Sequence, residues 1–302
     1  MLHLTLRQLQ VFDAVAQSGS FSKAAQALHL SQPAVSMQVK QLEETTGLAL
    51  FEQIGRKIYL TDAGREVQRA CQGVAQRLAD LENTLDDLKG LRQGSLTVGV
   101  VSTVSHFAIR LISHFRRLHP DVRLTLNVVN RENLLQQLAD NSVDFALMGK
   151  PPDGQDLDST PFMDNPLVVI APYAHPLARD KAITLARIAE EDFMVREPGS
   201  GTRGATEAYF QGSGLRLRAA MEMNKNEAIK QAVEAGLGLA VVSRHTVLQE
   251  LASRRLRTLD VEGFPILRQW YLVHRCDKRF SNAASAFAAF ILAQAGRLAL
   301  HT

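Results

Sequence analysis

Between Asp62 and Leu88 no proline interrupts the chain, and Val67, Cys71, Val74, Leu78, Leu81, Leu85 and Leu88 recur in alternating steps of four and three. That spacing is a heptad seam, the narrow apolar stripe with which one helix meets another. A helix packed on a globular core usually adds an e or g position and widens the stripe, so the pattern favours pairing with a second copy of the chain. A helix buried in its own domain is the competing reading. At 1.5 Å per residue the stretch forms a rod of roughly 40 Å. Leu91-Arg92-Gln93-Gly94 then breaks it. The rod divides the chain into an N-terminal part, residues 1–61, a linker and dimerisation segment, 62–94, and a larger part, 95–302.

The N-terminal part reads as three short helices. Thr5 and Gln8 have the form of a capping box; Leu9, Phe12, Val15 and Ala16 follow at helical spacing, and Ser18-Gly19 supplies a stop. Ala24, Ala25 and Leu28 give a second helix over 21–28 a small apolar face that allows close crossing. Ser31 is an N-cap, Pro33 fits a first turn, Val35, Val39 and Leu42 form a buried stripe, and Gly47 ends the third helix. With that stripe inward, Pro33, Ser36, Met37 and Lys40 face outward, with Gln32 at the tip. Such a face can enter a major groove while the helix N-terminus and Lys40 meet phosphates. A three-helix bundle with a merely solvated polar face has the same spacing. Charge does not decide between them: residues 1–60 carry five basic side chains against four acidic, and the whole chain has a net charge of +3.

The string from Phe21 to Gly64 resembles the LysR-type winged helix-turn-helix over its whole length. Ser31-Gln32-Pro33-Ala34-Val35-Ser36, Leu42-Glu43, Leu50-Phe51-Glu52, Arg56 and Leu60-Thr61-Asp62-Ala63-Gly64 stand in that family's order. The resemblance implies that Gln32, Pro33, Ala34, Ser36, Met37 and Lys40 face double-stranded promoter DNA, and that a wing with Arg56 and Lys57 reaches the backbone or minor groove. It also implies antiparallel pairing of linker helices into a homodimer, assembly into a homotetramer, and RNA polymerase as a further candidate partner. Gln53 stands where the family usually has arginine, which predicts slightly weaker and less salt-sensitive binding.

Beyond the rod, strands alternate with helices. Apolar runs at 96–101, 124–129 and 144–148 flank helical patterns carrying Phe107, Leu111 and Phe115, and then residues 132–139. Further strands fit near 167–171, 221–223, 239–242 and 272–273, and a helix fits 280–300. Alternation of this kind predicts a parallel sheet in an α/β fold. The best fit is two lobes, I at 95–163 and 267–302 and II at 164–266. The arrangement resembles the periplasmic-binding-protein-like effector domain of LysR-type proteins. The fold class expected is therefore α/β with an all-α N-terminal part.

Ligands of such sheets sit beyond the carboxyl ends of the strands, where helix N-termini carry a partial positive charge. Ser102 and Thr103 close the first strand of lobe I, and Gly199-Ser200-Gly201-Thr202-Arg203 opens a helix in lobe II. Glycines admit an anion close to the backbone, hydroxyls donate to it, and Arg203 adds charge. The plainer readings are a turn with an N-cap, a solvated Lys150 and a strand-end turn at Asn130-Arg131. The strings GVVSTVSHF, NVVNRENL, DFALMGKPP and VREPGSGTR resemble the regulators of RuBisCO operons, which control carbon dioxide fixation. That resemblance implies an effector cleft lined by Ser102, Thr103, Arg131, Lys150, Ser200, Thr202 and Arg203. The implied effector is a small anionic metabolite, a phosphorylated sugar, phosphoenolpyruvate or NADPH. Lys150 occupies a position where the subgroup commonly has arginine; charge is kept but bidentate geometry is lost.

Other functions find little support. Ser200 lies in G-S-G, not G-x-S-x-G, the nine histidines form no HExxH pair, and Gly236-x-Gly238 precedes a strand instead of following one. No catalytic or metal-binding set is expected, and no cofactor. Cys71 and Cys276 are expected as reduced, packed thiols. No apolar run is long enough to span a bilayer, and the first residues lack a basic segment followed by an apolar one, so a cytoplasmic protein is expected. Residues 95–302 alone would suit a transporter's solute-binding protein; the attached helix-turn-helix argues for a regulator. A LysR-type regulator of an unrelated metabolic operon is the alternative to carbon fixation.

Overall fold

A computed structural model of the protein describes residues 4–55, 57–88 and 94–298. Its elements in chain order are α1 (Leu6–Ser18), α2 (Phe21–Ala27), α3 (Gln32–Thr46), β1 (Phe51–Ile54), β2 (Lys57–Leu60), α4 (Asp62–Leu88), β3 (Gly94–Val101), α5 (Ser105–Leu118), β4 (Val122–Val129), α6 (Arg131–Ala139), β5 (Phe145–Gly149), β6 (Leu157–Asp164), β7 (Leu167–Pro172), α7 (Leu185–Ala189), β8 (Asp192–Arg196), α8 (Gly201–Gly212), β9 (Arg218–Met223), α9 (Asn226–Glu234), β10 (Ala240–Ser243), α10 (Leu248–Ala252), β11 (Leu256–Thr258), β12 (Gln269–Arg275) and α11 (Asn282–Leu298). Contacts divide the chain into two compact units, 1–82 with 140–142, and 83–139 with 143–302.

In the first unit the helix boundaries follow local chemistry. Thr5 and Gln8 form a reciprocal capping box, and Gly19 ends α1 in the left-handed conformation. Ser31 accepts from the Ala34 amide at 3.4 Å, and Gly47 closes α3 in the same left-handed way as Gly19. Val11, Val15, Ala24, Ala25, Val35 and Val39 form one core cluster. A second holds Phe12, Leu42, Leu50 and Cys71, with Val67 and Leu60 packed against it. β1 and β2 pair antiparallel as a two-stranded wing. Glu43 anchors it by accepting from the Leu50 amide at 2.8 Å and the Phe51 amide at 3.3 Å. Thr61 caps the start of α4 by accepting from the Gly64 amide at 3.0 Å. A Cβ at Gly64 would overlap the Leu50 carbonyl oxygen, so the closing glycine of the Leu60–Gly64 motif is set by backbone packing.

In the second unit a five-stranded sheet has the order β4-β3-β5-β12-β6. β3 pairs parallel with both β4 and β5, as βαβ crossovers require, whereas β12 runs antiparallel to β5 and β6. The sheet is therefore mixed, not parallel throughout: β12 returns from the second lobe and enters from the opposite end. The second lobe has an antiparallel trio, β10-β7-β11, and a parallel pair, β8-β9. β6, β8 and β11 are strands the sequence reading did not anticipate. One hydrophobic core joins β3, α5, α6, β5, β12 and α11, and two smaller ones fill the second lobe. The lobes are joined by two chain crossings that pair side by side. The Asn165 amide donates to the Arg268 carbonyl at 2.7 Å, and Leu167 and Ile266 exchange amide bonds of 3.0 Å.

Candidate functional site

On α3, Val35, Val39 and Leu42 are buried, while Gln32, Pro33, Ser36, Met37 and Lys40 are exposed and Ala34 is half-buried. Met37 is 54% exposed, and a thymine methyl is an apolar partner of suitable size. Lys40 has only an exposed contact with Glu44 at 3.8 Å, too weak to withhold it from a phosphate. Lys57 is exposed at the wing; Arg56 lies outside the described residues. Gln53, where arginine was expected, donates to the Gly55 carbonyl at 3.0 Å and so braces the wing turn.

The heptad seam divides in two. Val67 and Cys71, expected on the dimerisation seam, pack against Phe12, Leu42 and Leu50 of their own chain. The seam's first turns are consumed in cis because α4 begins directly beneath the wing. Burial, reinforced by the charge of Asp13, pushes the Cys71 thiol up to about 12. Cys276, expected to be packed, is exposed. Val74 is half-buried, and Leu78, Leu81 and Leu85 are exposed at 37%, 54% and 44%. The Leu88 side chain lies outside the described residues.

In the second unit a partly open chamber of about 40 Å³ lies between the lobes. On this measure it holds roughly three water molecules or one small anionic head group. Of the predicted residues, Ser102, Thr103, Arg131, Ser200 and Thr202 line it. The N-termini of α6 and α8 meet at its rim: a Cβ at Gly201 would lie 3.1 Å from the Arg131 side chain, and one at Gly199 would strike Glu132. Both helix ends bring positive potential to one place.

Two predicted residues are elsewhere. Arg203 bonds Glu207 at 2.8 Å, Glu222 at 2.6 Å and the Arg196 carbonyl at 2.9 Å. Its place past the first residues of α8 rotates it away from the mouth, and the two carboxylates hold its charge more firmly than usual. Lys150 is exposed, pairs with Asp153 at 3.1 Å, and lines an outer trough of about 500 Å³ with Arg268, Leu267 and Tyr271.

Among the chamber residues that the sequence reading missed are Asn165, Arg196, Arg268 and Trp270. Arg196 is 5% exposed and fully engaged, donating to Glu197 at 2.8 Å, to Asn226 at 2.6 Å and, across the lobes, to Ser102 at 3.1 Å. The Arg268 guanidinium, on the returning crossing, has no hydrogen bond or ion pair among the described residues. Among the described residues Arg131 donates only to the Lys150 carbonyl, at 3.1 Å. Burial first, and the nearby Arg268 charge second, weaken its hold on its proton. Two guanidiniums near one chamber, neither bonded to a carboxylate, are an arrangement that an anion stabilises.

Residues 6–65 match the family model "Bacterial regulatory helix-turn-helix protein, lysR family", and residues 89–296 match "LysR substrate binding domain". The chain is 55% identical to the RuBisCO operon transcriptional regulator of Allochromatium vinosum over 98% of both chains. It is 43% identical to the HTH-type transcriptional activator CmpR of Synechocystis sp., over 97% of this chain and 96% of the relative. Among solved structures, the regulatory domain of Synechocystis CcmR in complex with 2-PG is 38% identical, with a TM-score of 0.64 over 67% of this chain and 97% of that one. Full-length CbnR complexed with its target DNA has the same fold, with a TM-score of 0.70 at 19% identity over 95% of this chain and 99% of that one. Among the described residues no helix is long and apolar enough to cross a membrane. With both of its family models matched and relatives aligned along nearly its whole length, the chain belongs to the LysR family of bacterial helix-turn-helix transcriptional regulators.

Proposed function

We propose that this regulator controls a carbon-fixation operon, that of RuBisCO, and that a small anionic metabolite held in the interlobe chamber modulates its action on the promoter. The observation that carries the effector half is the pair Arg131 and Arg268, two cations beside one chamber and without a carboxylate partner among the described residues. The hydroxyls of Ser102, Thr103, Ser200 and Thr202 and the α8 N-terminus complete an anion-binding wall. The 2-PG complex of the CcmR regulatory domain supports a phosphorylated acid of this size, and the relatives' names support the operon.

In this reading Gln32, Pro33, Ala34, Ser36, Met37 and Lys40 meet the major groove, and Arg56 and Lys57 the backbone. Leu78, Leu81, Leu85 and Leu88 pair α4 with a second copy, which the family extends to a tetramer. RNA polymerase is the partner at the promoter, the cytoplasm is the compartment, and the chain acts without catalysis. The anion acts by binding one arrangement of the lobes more tightly than another, so that lobe closure alters the spacing of the paired reading heads. Footprinting on DNA upstream of a RuBisCO operon, across a salt series and with 2-phosphoglycolate, ribulose bisphosphate, phosphoenolpyruvate and NADPH, tests this. Specific protection altered by one of these anions is expected. Specific protection elsewhere but not on that operon would transfer the regulator to another pathway.

A further inference from the structure

The cations explain why an anion enters the chamber, but two of its walls do something else. Asn165 is 5% exposed and Trp270 3%, and both line the chamber beside Arg131 and Arg268. Asn165 is fixed by its backbone bond to Arg268 on the paired crossings, and Trp270 by its place in β12 between β5 and β6. Both positions are thus set by backbone pairing. Yet Asn165 Oδ1 and Trp270 Nε1 are buried with no hydrogen-bond partner among the described residues. Buried amide oxygens and indole N–H groups are nearly always paired, because leaving one unpaired forfeits its hydration.

The two atoms are of opposite kind: the indole N–H can only donate, and Oδ1 can only accept. An ionised phosphate or carboxylate oxygen can take the indole proton but has none to give Asn165. A hydroxyl group does both. We propose that Asn165 and Trp270 form a hydroxyl-reading subsite, so that the effector is a phosphorylated or carboxylated compound with a free hydroxyl close to its anionic group. Anions without that hydroxyl bind through the cations alone, and less tightly. The proposal rests on the reading of the chamber as the effector site.

The test is calorimetric titration of the full chain with 3-phosphoglycerate and with 3-phosphooxypropanoate, which has the same length and end groups but lacks the hydroxyl. Trp270 is the sole tryptophan in the sequence, so its fluorescence reports independently whether a ligand reaches this wall. The hydroxylated compound is expected to bind about tenfold more tightly and to change the Trp270 emission. Asn165→Ala and Trp270→Phe, the latter removing the N–H together with the rest of the five-membered ring, should each bring the ratio close to one while leaving the deoxy compound within about twofold of wild type. Equal affinity of wild type for the two compounds, or variants that weaken both alike, would overturn the subsite but leave the cationic chamber intact. Failure of wild type to bind either compound, or 2-phosphoglycolate, would overturn the chamber reading and the subsite with it.

Discussion

At the scale of single residues, Arg131 and Arg268 bring to the chamber charges that no carboxylate among the described residues answers, whereas Glu250 is answered locally and holds structure. Arg268→Ala removes the cation without a protein partner and is expected to weaken 2-phosphoglycolate binding at least about tenfold, with partial recovery in Arg268→Lys, because lysine restores charge but not the planar fork. Isothermal titration checks it; unchanged affinity would place the anion elsewhere. Glu250 is the opposite case. It is 6% exposed and bonds buried Lys230 at 2.9 Å, while Arg255 approaches at 3.7 Å. Burial pushes its carboxyl up, but the Lys230 bond and the neighbouring cations outweigh it and leave the carboxyl below its ordinary value of 4.5. A depressed carboxyl contributes stability that is fully present above its unfolded value and lost as pH falls through the folded one. Glu250→Gln should therefore cost about 3 kcal/mol near neutral pH, with the gap between variant and wild type narrowing below about pH 4.5. Urea unfolding at pH 7 and pH 4 measures this.

At the scale of elements, legibility tracks how local the cause is. Thr5, Gly19, Ser31 and Gly47 act within one helical turn, so α1 and α3 could be bounded from their own residues. The outward face of α3 followed from its buried stripe in the same way. Lys40→Ala should weaken operator binding and reduce the steepness of its salt dependence by about one unit, with the fold intact. Fluorescence anisotropy at several salt concentrations would show it, and an unchanged slope would mean that Lys40 meets no phosphate. The seam of α4 was only half legible. Its period was correct, but nothing in a period reveals that Val67 and Cys71 meet Phe12, Leu42 and Leu50 sixty or fewer residues away and are spent there. Only the exposed leucines remain for a partner. Leu81→Asp should thus shift the chain toward monomer in analytical ultracentrifugation while the winged helix keeps its circular dichroism. Unaltered association would locate the interface on another element.

At the scale of the molecule, the two lobes were visible as alternating strands and helices, but the return of β12 was not, since its antiparallel pairing depends on where a distant crossing re-enters the sheet. The same non-local step hid Arg268, Trp270 and Asn165, which reach the chamber only through the paired crossings. It also gave Arg203 a false place, because G-S-G-T-R reads as one anion loop in sequence while helix rotation turns the arginine toward Glu207 and Glu222. The molecule carries a reading head, a rod with exposed leucines, and a chamber lined by two arginines without a carboxylate partner among the described residues. The most direct measurement of the central claim is the bend angle and footprint of the full chain on RuBisCO-operon promoter DNA, with and without saturating 2-phosphoglycolate, for wild type and for Arg131→Ala/Arg268→Ala. The anion should change bend and footprint in wild type and leave the double variant unmoved on the same DNA. An identical response in both proteins, or none in wild type despite bound anion, would contradict that claim.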